Sequence, residues 1–414
     1  MYDETPKKRR AILLAVQLPE ISDEELQRSL IELGRLARTL GVETVGPPIT
    51  QRRAALEPGA VVGSGKVEEL ARRVDGDQLD LILVDHEISP SQARNLEKAG
   101  GADVLDRTAV ILEIFQRHAR SRAARAQVEM VRLKYMAPRL REQGKGKGER
   151  QQGGIGGKGA GESALELDRR KLRDRIAELA EELEAIEAER RTQRARRQDL
   201  LRVALVGYTN AGKSTLMRGL TGSEVLVADK LFATLETTVR AVEPPTKPKI
   251  LASDTVGFIH KLPHDLVASF KSTLDEALEA SLLLHVVDIS DPAHEHELAV
   301  TEEVLAEIGA GAVPRLLVFN KLDRVEDEAA TRARIATRWP GAVAMSAVRP
   351  DDVAALRQRL VDHFAADMEE REIFVPYAQQ GKRAAIFESC QVLGERYDEN
   401  GVVFHVRAPR GLSL

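Results

Sequence analysis

Residues 202–214 read Arg-Val-Ala-Leu-Val-Gly-Tyr-Thr-Asn-Ala-Gly-Lys-Ser. A strand-like apolar run ends at Gly207, and Ser214 to Leu220 continues as a helix, so G-x-x-x-x-G-K-S stands between a strand and a helix. That context belongs to a phosphate-binding loop. Glycines let backbone N–H groups curl around phosphate oxygens at a helix N-terminus, the lysine ammonium reaches the β- and γ-phosphates, and the serine hydroxyl ligates Mg2+. The nucleotide-binding candidates here are Gly207, Tyr208, Thr209, Asn210, Ala211, Gly212, Lys213, Ser214 and Thr215, with Ser214 on the metal. A second Gly-Lys, in Gly59 to Lys66, is a decoy. Ala60 stands five residues before Gly65 and Val67 follows the lysine, so the metal hydroxyl is missing and the segment reads as a loop opening a helix.

Downstream motifs choose the base. Asn320-Lys321-Leu322-Asp323 is N-K-x-D at the end of an apolar strand. A carboxylate at Asp323 can accept from both N1–H and the 2-amino group of guanine; adenine offers neither donor, and a stranded carboxylate is costly. Asn320 supports the base and the adjoining loops, and the Lys321 stem lies over the ring. Ser346-Ala347 ends the next strand and offers a backbone N–H to the guanine oxygen. Asp254-Thr255-Val256-Gly257 is D-x-x-G: Asp254 holds Mg2+ through water and the Gly257 N–H senses the γ-phosphate. Between these motifs lies Phe232-Ala233-Thr234-Leu235-Glu236-Thr237-Thr238. One threonine there is expected on Mg2+ only in the triphosphate state, which makes the loop a switch. Spacing leaves Thr234, Thr237 and Thr238 open. Phe258 follows D-x-x-G, where many GTPases carry a water-orienting glutamine. A phenyl ring orients no water, so slow basal hydrolysis is expected. Asn210 is placed to help hold K+ beside the phosphates, in the role of an arginine finger.

Around this centre the chain divides into four. Residues 1–106 alternate strand and helix patterns: a strand at Ala11–Leu18, a capping box Ser22-Asp23-Glu24-Glu25 opening a helix, strands at Val42–Ile49 and Leu79–Asp85, and a helix at Ser89–Ala99. That is a small α/β domain with a largely parallel sheet. Residues 107–199 read as a helical hairpin: one helix from Thr108 to Ala137 ended by Pro138, a loop with nine glycines between Gly144 and Gly161, and a second helix from Ser163 to Gln198. Leu165, Leu172, Ile176, Leu179, Leu183 and Ile186 form a coiled-coil seam, answered by Ile111, Ile114, Phe115, Val128, Val131 and Tyr135. Between Phe115 and Gly161 twelve Lys and Arg face three acids, a local charge of +9 within a chain of net charge −4. Such an arm is a phosphate-binding footprint and points to nucleic acid. Residues 200–367 repeat the strand–helix alternation with strands at 202–208, 250–254, 282–289, 315–320 and 343–346, a Ras-like G domain. Residues 368–414 read as a small α+β domain, a strand from Ile373, a helix, then a strand over Val402–Val406.

Composition removes other classes. The chain has 414 residues, and its single cysteine, Cys390, excludes an internal disulfide and a thiolate zinc cluster, so a reducing cytoplasm is expected. No apolar run approaches the ~20 residues of a membrane helix. Lys7 to Arg10 before Ala11–Leu18 imitates a signal peptide, but Pro19-Glu20 ends the stretch with no cleavage site, and it reads as a first strand. His294-Glu295-His296-Glu297 imitates a metal cluster; on a helix i and i+2 face apart, so a solvated helix start is expected. His260 and His264 read as loop residues.

Through GYTNAGKST, FATLE, DTVGFI, NKLD, GGIGGKGAGE and the paired helices before the G domain, the chain resembles the HflX family of translational GTPases along nearly its whole length. Ala160 replaces a proline that the family's glycine-rich motif carries. The resemblance implies that Thr234 is the switch-I magnesium threonine, within a nucleotide site that also takes in Phe232, Ala233, Leu235 and Glu236. Lys213, Thr234, Gly257 and Asn210 are then the catalytic set, and Mg2+ is the cofactor. It implies binding to the large ribosomal subunit, with the arm approaching rRNA near the peptidyl transferase region, and splitting of stalled ribosomes into subunits. A monomer is expected, associated with ribosomes or with the membrane periphery. The rival readings are a GTPase assembly factor for the large subunit and an ATP-driven RNA remodeller; N-K-x-D argues against a small-molecule kinase. Asp323→Asn should weaken GTP binding by a few kcal/mol and abolish its preference over ATP; competition binding of the two nucleotides checks it, and an unchanged GTP affinity would remove Asp323 from base recognition.

Overall fold

The computed structural model describes residues 8–143, 164–195, 200–222, 231–232, 237–262, 271–366 and 368–409. These form two compact units, the first of Met1–Ile186 with Leu262–Ser269, the second of Glu187–Lys261 with Phe270–Leu414.

Unit 1 is organised by β1 (Arg10–Gln17), whose consecutive apolar side chains are buried on both faces of the sheet. On one edge β1 pairs in parallel with two short strands, β2 (Glu43–Thr44) and β3 (Ile49–Arg52); on the other it pairs with β4 (Leu81–Val84), and β4 pairs with β5 (Asp103–Asp106). The single strand expected over Val42–Ile49 is thus two short ones. Helices α1 (Asp23–Thr39), α2 (Ser64–Gly76), α3 (Pro90–Gly100) and α4 (Arg107–His118) cover the sheet. Ser22 accepts from the Glu25 N–H and caps α1, and Ser89 with Gln92 forms a reciprocal capping box at α3. Helix α2 opens after Gly63, as the decoy reading of Gly59–Lys66 anticipated. Ile12, Leu14, Leu70, Ile82, Val84 and Leu96 close one core.

The long helix expected over 108–137 is two helices, α4 and α5 (Arg122–Gln143). Ala119 turns to extended backbone (φ −67, ψ 111), and the Ser121 hydroxyl accepts from the Ala124 N–H to start the next helix. Neither glycine nor proline marks that break, so periodicity runs straight through it. Pro138, conversely, lies inside α5 rather than ending it. Tyr135, expected in the seam, donates its hydroxyl to Asp106 at 2.7 Å, and the Arg139 guanidinium stacks on its ring 3.5 Å from the centroid while bonding the same carboxylate at 3.0 Å. The glycine-rich stretch 144–161 lies outside the described residues. Helix α6 spans Ala164–Ala195; Arg175 pairs with Glu129, and Arg122 with Glu182.

Unit 2 holds a six-stranded sheet ordered β11-β10-β9-β6-β8-β7. Its strands are β6 (Leu201–Val206), β7 (Thr238–Ala241), β8 (Ile250–Asp254), β9 (Leu282–Asp288), β10 (Arg315–Asn320) and β11 (Val343–Ala344). All run parallel except β7, which is antiparallel to β8. Helices α7 (Lys213–Thr221), α8 (Lys271–Leu278), α9 (His294–Glu307), α10 (Glu328–Arg338) and α11 (Pro350–Ala366) are its helical layer. Leu216, Met217 and Leu220 of α7 meet Leu356, Leu360 and Phe364 of α11 over the inner strands. With five parallel strands ending at the same edge, the loops that follow them collect there, which is where open α/β sheets bind ligands.

The C-terminal residues form a three-stranded antiparallel sheet, β12 (Met368–Pro376), β14 (Gly401–Pro409) and β13 (Gln391–Asp398) in that order, with α12 (Gln380–Ser389) against it. Strand β13 was not expected: its sequence, QVLGERYD, is too polar to alternate visibly, because six of its eight positions face water.

One buried ionic group stands out in unit 1. Arg107, 3% exposed, bonds Asp85 at 2.9 Å and also pairs with Glu32, while the Ser29 hydroxyl donates to Asp85 at 2.5 Å. Removing the cation would leave a carboxylate that is 1% exposed without its counter-charge. Arg107→Ala should therefore cost roughly 3–5 kcal/mol, seen as lost hydrogen-exchange protection of the β1 and β4 amides.

Candidate nucleotide site

The loop after β6 takes the conformation its residues permit. Gly207 has φ 146, and a Cβ there would fall 2.2 Å from the Val286 carbonyl oxygen, so only glycine passes. Gly212 has φ 96 and would clash with Asn320 Nδ2 at 2.2 Å. Asn210 holds φ 63, a region asparagine tolerates better than most residues. Lys213 opens α7 and folds its ammonium back over the loop, donating to the Gly207 and Tyr208 carbonyls at 2.9 and 2.8 Å. Ser214 donates to Asp254 at 2.8 Å. The hydroxyl and carboxylate proposed for the metal are thus adjacent, and a hard oxygen pair of this kind suits Mg2+. Thr255 is buried and donates to the Leu205 carbonyl at 2.7 Å, which fixes the strand end carrying D-x-x-G. Gly257 lies against the P-loop: a Cβ on it would meet Thr209 Cα at 2.8 Å and Lys213 Nζ at 3.1 Å. Phe258 is 2% exposed, its ring packed away from solvent.

The loops that carry N-K-x-D and Ser346-Ala347 converge on the same edge. Asn320 donates to the Ala211 carbonyl at 2.9 Å and accepts from the Ala347 N–H at 2.8 Å. Leu322 is fully buried beneath the loop. Lys321 holds φ 62 and pairs with Asp288, the last residue of β9, at 2.7 Å. Asp323 is exposed and accepts the Ser346 hydroxyl. The Ser346 N–H donates to Asp352 at 2.8 Å. The backbone donors at Ser346 and Ala347, expected to meet the guanine oxygen, are therefore engaged by Asp352 and Asn320 in this arrangement. Sequence reading missed Asp288 and Asp352; the first was visible as an acid closing a strand, the second carried no pattern. Of the switch-I candidates, Phe232 is described and buried; Ala233, Thr234, Leu235 and Glu236 lie outside the described residues, as does His264. Tyr208 and Ala211 are buried parts of the loop, and Val256 is 5% exposed.

The HEHE segment opens α9 as expected and Glu295 is exposed, but Glu297 is not solvated. Glu297 is 9% exposed, and its charge reaches Lys213, because α9 presses this turn against the sheet edge. His285 of β9 is buried with neither ring nitrogen hydrogen-bonded among the described residues, and burial, with the charges of Arg315 and Lys213, pushes its pKa down to about 3, so it stays neutral.

A parallel sheet with a P-loop after its central strand, D-x-x-G after a neighbour and N-K-x-D two strands away defines a P-loop GTPase. Three family models match consecutive stretches: "GTP-binding GTPase N-terminal" over residues 27–116, "GTP-binding GTPase Middle Region" over 118–197, and "50S ribosome-binding GTPase" over 202–321. A GTPase HflX of Gluconacetobacter diazotrophicus is 52% identical, covering 96% of this chain and 95% of its own. The GTPase HflX of Caldanaerobacter subterraneus is 41% identical over 95% of this chain and 90% of its own, and that of Escherichia coli K12 is 38% identical over 99% and 96%. The chain belongs to the HflX GTPase family and is a GTP-hydrolysing enzyme.

Burial pushes the Lys213 ammonium down to about 8, against the opposing pull of Asp254 and Glu297. Phosphate oxygens favour its charged form, so above that pH nucleotide binding must take up a proton. GTP affinity should be level below about pH 8 and fall as pH rises through it, by up to about tenfold per unit. Calorimetric titration in buffers of different ionisation enthalpy checks both the fall and the proton uptake.

Proposed function

We propose that this GTPase is Mg2+-dependent, binds the large ribosomal subunit and dissociates stalled ribosomes into subunits. The observation that carries the reading is the exposed cationic run on α5, where Arg125, Arg132 and Lys134 are exposed in a chain of net charge −4. Such a surface suits a phosphate backbone. The description of the family model over residues 202–321 supports a ribosomal partner, and the family resemblance supports the large subunit and the splitting. Not all of the arm's charge is available: Arg117 donates to the Leu40 carbonyl, Arg122 pairs with Glu182, and Arg139 is held by Asp106. The pairs Arg122–Glu182 and Arg175–Glu129 follow the register of antiparallel helices, which supports a hairpin within a four-part chain of 1–106, 107–199, 200–367 and 368–414.

In the nucleotide site the P-loop N–H groups and Lys213 bind the phosphates, Gly257 approaches the γ-phosphate, and Asp323 reads guanine. Ser214, Thr234 and Asp254 are the residues that would hold Mg2+, which would supply charge neutralisation at the phosphates. Asn210 offers K+ a ligand, and Phe258 leaves water orientation to a partner.

Sedimentation of intact ribosomes with the protein and a non-hydrolysable GTP analogue tests the reading. Separated subunits are expected, and Glu at positions 125, 132 and 134 should abolish the effect while GTP binding persists. Intact ribosomes beside protein bound to free large subunits would favour an assembly factor and sink the splitting reading.

A further inference from the structure

Two consecutive P-loop residues reach out to both switch segments. The Thr209 N–H donates to the Phe258 carbonyl at 2.7 Å, while the Thr209 hydroxyl oxygen accepts from the Phe232 N–H at 2.9 Å. The Phe258 N–H returns a bond to the Gly207 carbonyl at 3.2 Å, so Tyr208 and Phe258 form a short parallel bridge. The Tyr208 hydroxyl accepts from the His260 N–H at 2.8 Å. Thr209 is 6% exposed, so these bonds form where water competes little.

The Phe232 end is the less expected. Phe232 holds φ 56, a conformation that crowds an L-residue's Cβ, and its ring is 1% exposed. A bulky residue stays there only where its surroundings over-determine the backbone, and such positions gather at switches and ligand clamps. The Thr209 hydroxyl is one of the groups that hold it. On the other side a Cβ at Gly257 would fall 2.8 Å from Thr209 Cα and 3.1 Å from Lys213 Nζ, so the backbone of D-x-x-G lies directly against Thr209.

We propose that Thr209 is a positioning residue for GTP hydrolysis: its hydroxyl fixes the start of switch I at Phe232 and its N–H fixes the segment after D-x-x-G at Phe258, so that one P-loop residue sets both switches against the phosphates. Threonine supplies what glycine or proline could not, an acceptor pointing out of the loop. Only the GTPase activity is needed for this; a ribosome need not take part.

The test uses the full chain and compares Thr209→Val, Thr209→Ala and Thr209→Ser by GDP affinity and by single-turnover GTP hydrolysis. Valine keeps the shape and loses the acceptor, alanine loses the acceptor without overpacking, and serine keeps it. Valine and alanine should both slow hydrolysis by about fivefold to tenfold with GDP affinity within about twofold, and serine should restore the rate to within about twofold. GDP binding in each variant also reports that the G domain is folded. Wild-type hydrolysis in valine and alanine would overturn the proposal. So would serine as slow as valine, valine and alanine that disagree, or GDP affinity that falls in step with the rate, since each assigns the effect to shape or to the loop itself.

Discussion

The amide of Asn320 is the joint on which the nucleotide site depends. Its nitrogen donates to the loop after β6 and its oxygen accepts from the loop after β11, while its own backbone closes β10. It is 1% exposed, so both bonds are made in a medium where a lost partner is expensive. The loops after β6 and β11 are separated by more than a hundred residues of sequence, yet this one side chain bonds to both. The glycine at 212 follows from it, because any side chain there would strike the same amide.

Much of this was legible in the sequence because the chemistry demands contiguous patterns. A phosphate cradle must be a short glycine loop between a strand and a helix, and the residues that form it lie side by side in the chain. Asn320 as a brace between loops was equally readable. What stayed hidden depends on partners far apart. Asp352 and Asp288 are ordinary surface acids until the fold brings them to Ser346 and Lys321. Glu297 sits in a run of four polar residues that looks solvated, and only the packing of α9 buries it. The boundary between α4 and α5 escaped because alanine and serine break a helix there without the residues that usually announce it, and β13 escaped because an edge strand can be almost wholly polar.

The two units settle charge in opposite ways. Unit 1 encloses Arg107 with two carboxylates, a closed arrangement in which every charge has its counterpart. Around the P-loop the balance is left open: Lys213 is buried among acids that only partly offset its desolvation, and His285 next to it is neutral. An open balance is costly at rest and useful in a binding site, because the missing negative charge is what a nucleotide brings.

The order of construction along the chain has a consequence of its own. The strands of unit 1, with α1 to α5 and most of α6, all precede Ile186, whereas the sheet of unit 2 requires β11 near residue 344. Made from the N-terminus at about 5–20 residues per second, the strands of the first unit are complete roughly ten to thirty seconds before the second has all of its own. During each synthesis α5, with its exposed Arg125, Arg132 and Lys134, is made before the strands that carry the P-loop, D-x-x-G and N-K-x-D.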